Sequence, residues 1–407
     1  MDQNLSTVAA TKEESTEAPQ TPLPYGRQWL DEDDIRVVTE VLRGDWLTQG
    51  PAVAAFEKSL AEYCGARYAV AVANGTAALH LATMAAGIGP GDVGITSPIT
   101  FVASANCVAY CGGTPAFADV DAETITLDPA ALEEACERLR PKVILPVDFA
   151  GQTADLPAIH KVASRYGAMV IEDAAHSLGA SYTDDGVSYR AGSCAHADMA
   201  ILSFHPVKHI TTGEGGAILT NDEGLYEKLQ MLRTHGITRD PRRLNRNDGP
   251  WYHELQELGY NYRITDLQCA LGISQMRKLD AFVERRRQLV DLYVERIGEL
   301  ADDVSLLTEK AGRRSSYHLL IARVRGGAER RRSVFESLHE QGIRAQVHYI
   351  PVHTQPLYME RYGYGPGRFP NAEKYYEGCL SLPLFPRMTD QDVERVISAL
   401  GTALASS

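Results

Sequence analysis

Between two short apolar runs, residues 199–204 and 217–220, lies a stretch of hydroxyls, glycines and a single lysine, Lys208, inside S-F-H-P-V-K-H-I-T-T-G-E-G-G. Runs of that length suit buried strands, so the segment between them is predicted as a loop held at both ends. A lysine on such a loop suits imine chemistry with the aldehyde of pyridoxal phosphate. That chemistry needs an amine kept in one place and desolvated enough to lose its proton. Alone, Lys208 also fits a plain surface lysine after a strand, so its surroundings carry the decision.

Other candidates sit at predicted strand ends. Residues 168–171 form an apolar run that ends in Glu172, Asp173 and, after two alanines, His176. A carboxylate at Asp173 could pair with a protonated ring nitrogen, or could cap a helix. Residues 68–73 make another strand-length run, followed by Asn74, Gly75 and Thr76 and then an alanine-rich helical pattern. Strand, small-residue turn and helix N-terminus together form an anion site, or simply a strand-to-helix turn. Phe101, at the bend after a strand over 93–97, could stack on a flat ring or fill the core. Trp46, in the loop 45–51, reads first as a packing plug. His205 and His209 have metal-pair spacing, but Pro206 opposes a helix through them and no third ligand is evident, so no metal is expected. The glycine cluster 87–92 follows a helical pattern rather than a strand and reads as a turn.

The elements that must position these residues alternate along the chain. Helical patterns over 53–63, 102–110, 129–139, 156–166 and 225–233 are interleaved with the runs above and with strands over 114–120 and 143–147. That alternation predicts an α/β fold with a largely parallel sheet, whose ligands bind beyond the carboxyl ends of the strands. A first helix beginning near Asp31 carries Ile35, Val38, Val41 and Leu42 at helical spacing and stops at Gly44. A long helical pattern runs from Asp266 to about Ile297, with Arg285, Arg286 and Arg287 read as a solvated face. Beyond residue 300 a strand over 317–324, a helix over 330–341, a strand over 345–349 and a closing helix over 391–404 predict a smaller α+β unit. The expected division is a disordered tail over 1–22, a large domain over 23–280 and a small C-terminal domain over 281–407.

Composition narrows the class. The 407 residues are 44% hydrophobic and 23% charged, as in an ordinary globular protein. A formal net charge of -13 argues against nucleic acid and anionic membrane as partners. Seven scattered cysteines without a C-x-x-C pair suggest free thiols in a reducing compartment. No apolar run approaches the roughly 18 residues of a spanning helix, and the N-terminus lacks the features of a secretory signal. A cytoplasmic location is expected.

Taken in order, L-T-Q-G-P at 47–51, N-G-T-A-A-L at 74–79, I-E-D-A-A-H at 171–176, the Lys208 loop and G-Y-N-Y-R at 259–263 resemble the DegT-type sugar aminotransferases. These are pyridoxal-phosphate enzymes of fold type I, and the likeness extends over nearly the whole chain from Leu23. It implies that Lys208 anchors the cofactor and moves protons, and that Asp173 keeps the ring nitrogen protonated. By the same likeness Phe101 stacks on the ring, His176 lies near its phenolic oxygen, and Gly75, Thr76 and Ser203 hold the phosphate. Asn261 is expected to reach the phosphate of a neighbouring subunit, which implies a homodimer with shared active sites. P-Y-G-R-Q at 24–28 and A-Q-V-H-Y-I-P-V at 345–352 resemble the branch of the family serving pseudaminic acid biosynthesis. That narrower likeness implies L-glutamate as donor and C4 of a UDP-linked 4-keto-6-deoxy-N-acetylhexosamine as acceptor. It places Tyr25, Asp45, Trp46, Leu47, Thr48, Gln346, Val347, His348 and Tyr349 against substrate or cofactor. The alternatives are another nucleotide-sugar 3- or 4-aminotransferase, a dehydrase of the same fold, and a non-catalytic regulator on the same scaffold. The dehydrase would carry histidine where Lys208 stands, and the regulator would need neither Lys208 nor Asp173.

Overall fold

The computed structural model describes residues 21–407, so the predicted tail over 1–22 lies outside the described residues except for Thr21 and Pro22. At its centre is a seven-stranded sheet. The strands are β1 (Tyr68–Val72), β2 (Val93–Thr96), β3 (Thr114–Phe117), β4 (Val143–Leu145), β5 (Met169–Asp173), β6 (Met199–Ser203) and β7 (Gly216–Thr220). Their order across the sheet is β1-β7-β6-β5-β4-β2-β3. Only β7 runs against its neighbours, pairing antiparallel with both β1 and β6. Buried on both faces, these strands are short unbroken runs of Val, Ile, Leu and Ala rather than alternating ones, as a covered parallel sheet requires.

Helices cover the two faces. They are α1 (Glu32–Arg43), α2 (Pro51–Cys64), α3 (Gly75–Ala85), α4 (Ala103–Tyr110), α5 (Pro129–Leu139), α6 (Leu156–Tyr166), α7 (Glu223–Arg233) and α8 (Asp266–Met276). One apolar cluster packs α3, α4 and α7 against one face of β1, β6 and β7. A second packs α2 and α8 against the other. Several starts are fixed by side-chain caps: Asn74 Oδ1 accepts from Ala77 N, and Thr265 and Gln268 cap each other at the start of α8.

The first helix departs from expectation. Its residues Ile35 and Leu42 are exposed, while Asp34 is buried, bonded to Gln275 and Lys278. Asp34 shares its face of α1 with the half-buried Val37, Val38 and Val41, and its Oδ2 is answered by Gln275 and Lys278. Trp46 is 59% exposed, so it is not the packing plug its loop position suggested.

The long helical pattern is two helices, α8 and α9 (Leu279–Arg296), parted at Arg277 and Lys278, where Lys278 Nζ reaches Asp31 and Asp34. The arginine triplet is not one solvated face. Successive helical residues turn by about 100°, so three in a row cannot share a side. Arg286 falls on the buried stripe with Phe282, Val283, Leu289, Val290 and Tyr293. Its Nη1 donates to the carbonyls of Tyr317, His318 and Leu384 at 3.3, 3.3 and 2.8 Å. Arg287 pairs with Glu309, and Arg285 with Asp390.

Around α9 gathers a second core, built on the antiparallel strands β8 (Val304–Leu306), β9 (Leu320–Val324) and β10 (Cys379–Leu382). Helices α10 (Gly327–Glu340), α11 (Pro356–Tyr362), α12 (Pro370–Gly378) and α13 (Asp390–Ala405) complete this part. The strand expected over 345–349 is reduced to one bridge between Gln346 and Ser381, after which the chain turns away. β10, α11 and α12 had no counterpart in the sequence reading, because each is short and none has a sustained apolar period.

Replacing Arg286 by Ala should cost about 3 kcal/mol, since three buried carbonyls lose a charged donor and a large side chain is deleted. A lower urea midpoint checks this; an unchanged midpoint would show that the carbonyls find other donors.

Candidate active site

The C-terminal edge of the parallel strands frames a cavity of about 730 Å3. Its wall brings together Tyr25, Gly75, Thr76, Phe101, Asp173, His176, Ser203, Lys208, His348 and Tyr349 from the sequence-predicted set. Seven others do not line it. Asp45, Trp46, Leu47 and Thr48 are exposed in the α1–α2 loop, where Leu47 O accepts from Asp266 N and Thr48 bridges Thr265. Asn261 is exposed and bridges Thr234. Gln346 is exposed at its bridge to Ser381, and Val347 packs against the core around α9.

Lys208 is held as its loop predicted. Phe204 N donates to Gly215 O at 2.8 Å and Thr212 N to Phe204 O at 3.0 Å, closing the excursion between β6 and β7 at its base. Asp173 ends β5, 5% exposed, with Oδ2 accepting from Ser104 Oγ at 2.5 Å and Oδ1 from Ala175 N at 3.2 Å. The capping contact to Ala175 therefore coexists with an open path to the cavity. Burial raises the Asp173 carboxyl above its ordinary range, opposed by Ser104, Ala175 and Lys208. Burial lowers the Lys208 amine to about 8, against the pull of Asp173.

The turn after β1 packs closely on the end of β6. A Cβ on Gly75 would lie 3.0 Å from Ser203 Cβ, and one on Gly216 only 2.5 Å from the Asn74 carbonyl. Two glycines thus let the first turn of α3, with its unpaired amides, sit beside the Ser203 hydroxyl. Phe101 is 58% exposed at the mouth, so it is available to a ring rather than spent on the core. Opposite, His176 Nε2 meets Tyr349 Oη at 3.1 Å, while its Nδ1 is buried with no partner. Burial holds the His176 ring uncharged, well below its usual range. An anion-binding turn, a carboxylate facing an amine, an open aromatic and an orphaned imidazole nitrogen suit a phosphorylated pyridine aldehyde.

Residues 28–401 match the model of the DegT/DnrJ/EryC1/StrS aminotransferase family. The chain belongs to that family. It is 40% identical to the spore coat polysaccharide biosynthesis protein SpsC of Bacillus subtilis over 93% of this chain and 96% of that protein. Among solved structures it resembles Helicobacter pylori PseC, an aminotransferase involved in the biosynthesis of pseudoaminic acid, with a TM-score of 0.87 and 30% identity over 95% and 100% of the two chains. It also resembles Bacillus subtilis NtdA, solved with bound cofactor PMP, with a TM-score of 0.82 and 30% identity over 97% and 87%. As a DegT-family sugar aminotransferase, the protein is a pyridoxal-phosphate enzyme of the transferase class.

Sequence reading missed several wall and near-wall groups of this aminotransferase. Ser104 lies in the first turn of α4, hidden among small residues that look like packing. Tyr262 stood inside the G-Y-N-Y-R block, and only Asn261 beside it was singled out; its ring lines the cavity and its carbonyl accepts from Ala73 N. Glu214 sat within the quoted T-T-G-E-G-G run without a role. His318 comes from a distant stretch just before β9, where nothing local marks it. Of the two histidines weighed as a metal pair, His209 Nε2 faces Ser316 O at 3.2 Å and His205 is exposed. Among the described residues no group of three or more His, Cys, Asp or Glu is placed to hold a metal, and no helix is long and apolar enough to cross a membrane.

Beneath Asp173 lie two more buried acids. Asp148 accepts from Ser177 Oγ at 2.6 Å and Ala154 N at 2.8 Å, and Glu172 accepts from Gly192 N. Burial pushes Asp148 up to about 6, and burial together with Asp148 holds Glu172 well above the carboxylate range. At these two positions the folded state binds protons more tightly than the unfolded chain, so their contribution to stability declines as pH rises from the unfolded values towards the folded ones. Glu172→Gln should reduce the fall in urea midpoint between about pH 5 and about pH 8. An identical fall in both proteins would remove Glu172 as its source.

Proposed function

We propose that this aminotransferase moves the amino group of L-glutamate to C4 of a UDP-linked 4-keto-6-deoxy-N-acetylhexosamine, forming UDP-4-amino-4,6-dideoxy-N-acetyl-β-L-altrosamine for pseudaminic acid. The observation that carries the catalytic part is that Lys208 and Asp173, from different strand ends, face one cavity. The likeness to PseC and the presence of Tyr25, His348 and Tyr349 in the cavity wall support the choice of sugar.

In this reading Gly75, Thr76 and Ser203 hold the phosphate, Asp173 keeps the pyridine nitrogen protonated, Phe101 covers the ring and His176 faces its phenolic oxygen. Bound pyridoxal phosphate supplies an electron sink for the pair left when a proton leaves the carbon bearing the amino group. Lys208 anchors the cofactor and, once free, its amine takes that proton and returns it one position along. An amine lowered to about 8 by burial can do both near neutral pH. Tyr25, His348 and Tyr349 shape the sugar side.

Asp45, Trp46, Leu47, Thr48 and Asn261 are assigned to the site of a second copy in a homodimer. Ile35, Leu42, Trp46 and Leu47 are exposed on α1 and its loop, apolar surface that a second copy would cover. A second substrate reading is another nucleotide-sugar 3- or 4-aminotransferase; the 40% identity to SpsC, named for spore coat polysaccharide biosynthesis, supports a sugar product other than pseudaminic acid.

Lys208→Ala should lower turnover by about a thousandfold with the circular dichroism unchanged, and borohydride should fix the cofactor on the Lys208 peptide of the parent enzyme only. Cofactor fixed on another lysine would end this assignment. Asp173→Asn should lose about a hundredfold or more in kcat. Incubation with glutamate and a panel of UDP-linked 3-keto and 4-keto sugars, with products identified by mass and NMR, decides the acceptor. Amination of only a 3-keto sugar would overturn the C4 proposal.

A further inference from the structure

Lys208 has four histidines as electrostatic neighbours, His176, His209, His318 and His348, and no role above accounts for His318. His318 Nε2 lies 3.4 Å from Lys208 Nζ, while its buried Nδ1 has no hydrogen-bond partner among the described residues. The ring is 4% exposed and lies 4.4 Å from the His176 ring and 5.6 Å from that of His209. A buried imidazole with one orphaned nitrogen is a costly way to fill space. Among the described residues, the one polar contact its ring makes is the one to Lys208.

The backbone around His318 is built to bring the ring there. Ser316 N donates to Gly151 O at 2.9 Å and Leu319 N to Ala150 O at 3.2 Å, docking the segment before β9 against the loop after β4. Gly151 has φ 107°, and a Cβ there would meet Tyr317 N at 2.5 Å, so only glycine permits the approach. From the other side the Arg286 guanidinium donates to the His318 carbonyl. Two unrelated elements therefore clamp the residue whose side chain reaches the lysine.

We propose that His318 is a positioning residue for Lys208: its Nε2 accepts a hydrogen from the amine whenever Nζ is not joined to the cofactor, holding the amine at the cavity floor and favouring its protonated form. The inference rests on Lys208 as the anchoring amine. The charged and titratable groups facing the pair are Asp173 from β5, His176 from the turn after it, His209 from the Lys208 loop, Arg286 from α9, and His348 and Tyr349 from the segment after α10. Burial keeps His318, His176 and His209 uncharged, so the lysine meets neutral rings there rather than a competing cation. The amine is thus held by a neutral partner within the cavity that Asp173 also lines.

The test titrates Lys208 in the full chain stripped of cofactor, by trace acetylation with acetic anhydride across a pH series and mass spectrometry of the Lys208 peptide. Loss of the acceptor in His318→Leu should lower the amine's midpoint by about one pH unit, a tenfold change in the ammonium-to-amine ratio. His318→Gln, which keeps a polar acceptor near the Nε2 position, should stay within a few tenths of a unit of the parent. In the loaded enzyme the acid limb of kcat should move down by the same amount in His318→Leu and stay in place in His318→Gln. Equal midpoints in all three proteins, or equal shifts in the Leu and Gln variants, would overturn the proposal. If His318→Leu does not fold, His318→Phe takes its place as the variant without an acceptor. Borohydride fixation on Lys208 is read separately, so failure of the anchoring role and failure of the His318 role are distinguishable.

Discussion

Everything in this molecule is arranged around an amine and a carboxylate that share one cavity, the carboxylate buried in its wall. A lone buried charge is expensive, and it is tolerated only where an opposite charge and hydrogen bonds answer it. Asp173 is answered by Ser104, Ala175 and the Lys208 amine. Lys208 is answered by Asp173 and by rings that burial keeps neutral. Neither group would be stable in its place without the other elements that close the pocket, so site and fold are one electrostatic problem.

The sheet order solves its geometric part. β5 and β6 are parallel neighbours, which puts Asp173 and Ser203 on the same edge, and the excursion after β6 returns as antiparallel β7. Gly216, the first residue of β7, pairs with both Ser203 and Val72, so the phosphate-type turn after β1 and the lysine loop are locked to each other through one strand. The missing Cβ atoms of Gly75 and Gly216 let these backbones meet. A parallel sheet with one reversed strand thereby brings three strand ends and a two-ended loop to a single point.

The remaining wall comes from the part of the chain around α9. His348 and Tyr349 follow the bridge at Gln346, and His318 precedes β9, so the smaller core contributes to the cavity through connecting segments rather than through its strands. Arg286 joins these segments from behind by donating to the carbonyls of Tyr317, His318 and Leu384. A single buried guanidinium therefore ties the helix between the two cores to the loops that shape the site. In a chain of net charge -13, this cation faces carbonyl dipoles and, among the described residues, no carboxylate.

The sequence alone determined the alternation of strands and helices, the two-ended loop carrying Lys208, the carboxylate at a strand end and the small-residue turn at residues 74–76. These are local patterns, set by period, length and turn chemistry, and they survive without knowledge of the neighbours. It could not decide which side of α1 faces inward, because Asp34 is buried only by virtue of Gln275 and Lys278 far along the chain. Nor could it separate Arg286 from Arg285 and Arg287, whose fates diverge with the rotation of one helix against carbonyls supplied by two distant segments. Ser104, Tyr262 and His318 became visible only once distant segments met, since nothing in their own neighbourhood distinguishes a group that bonds a buried acid or amine from one that packs. Tertiary structure decided these because burial and partnership are properties of a place in space, and a residue's flanking sequence does not fix who else arrives there.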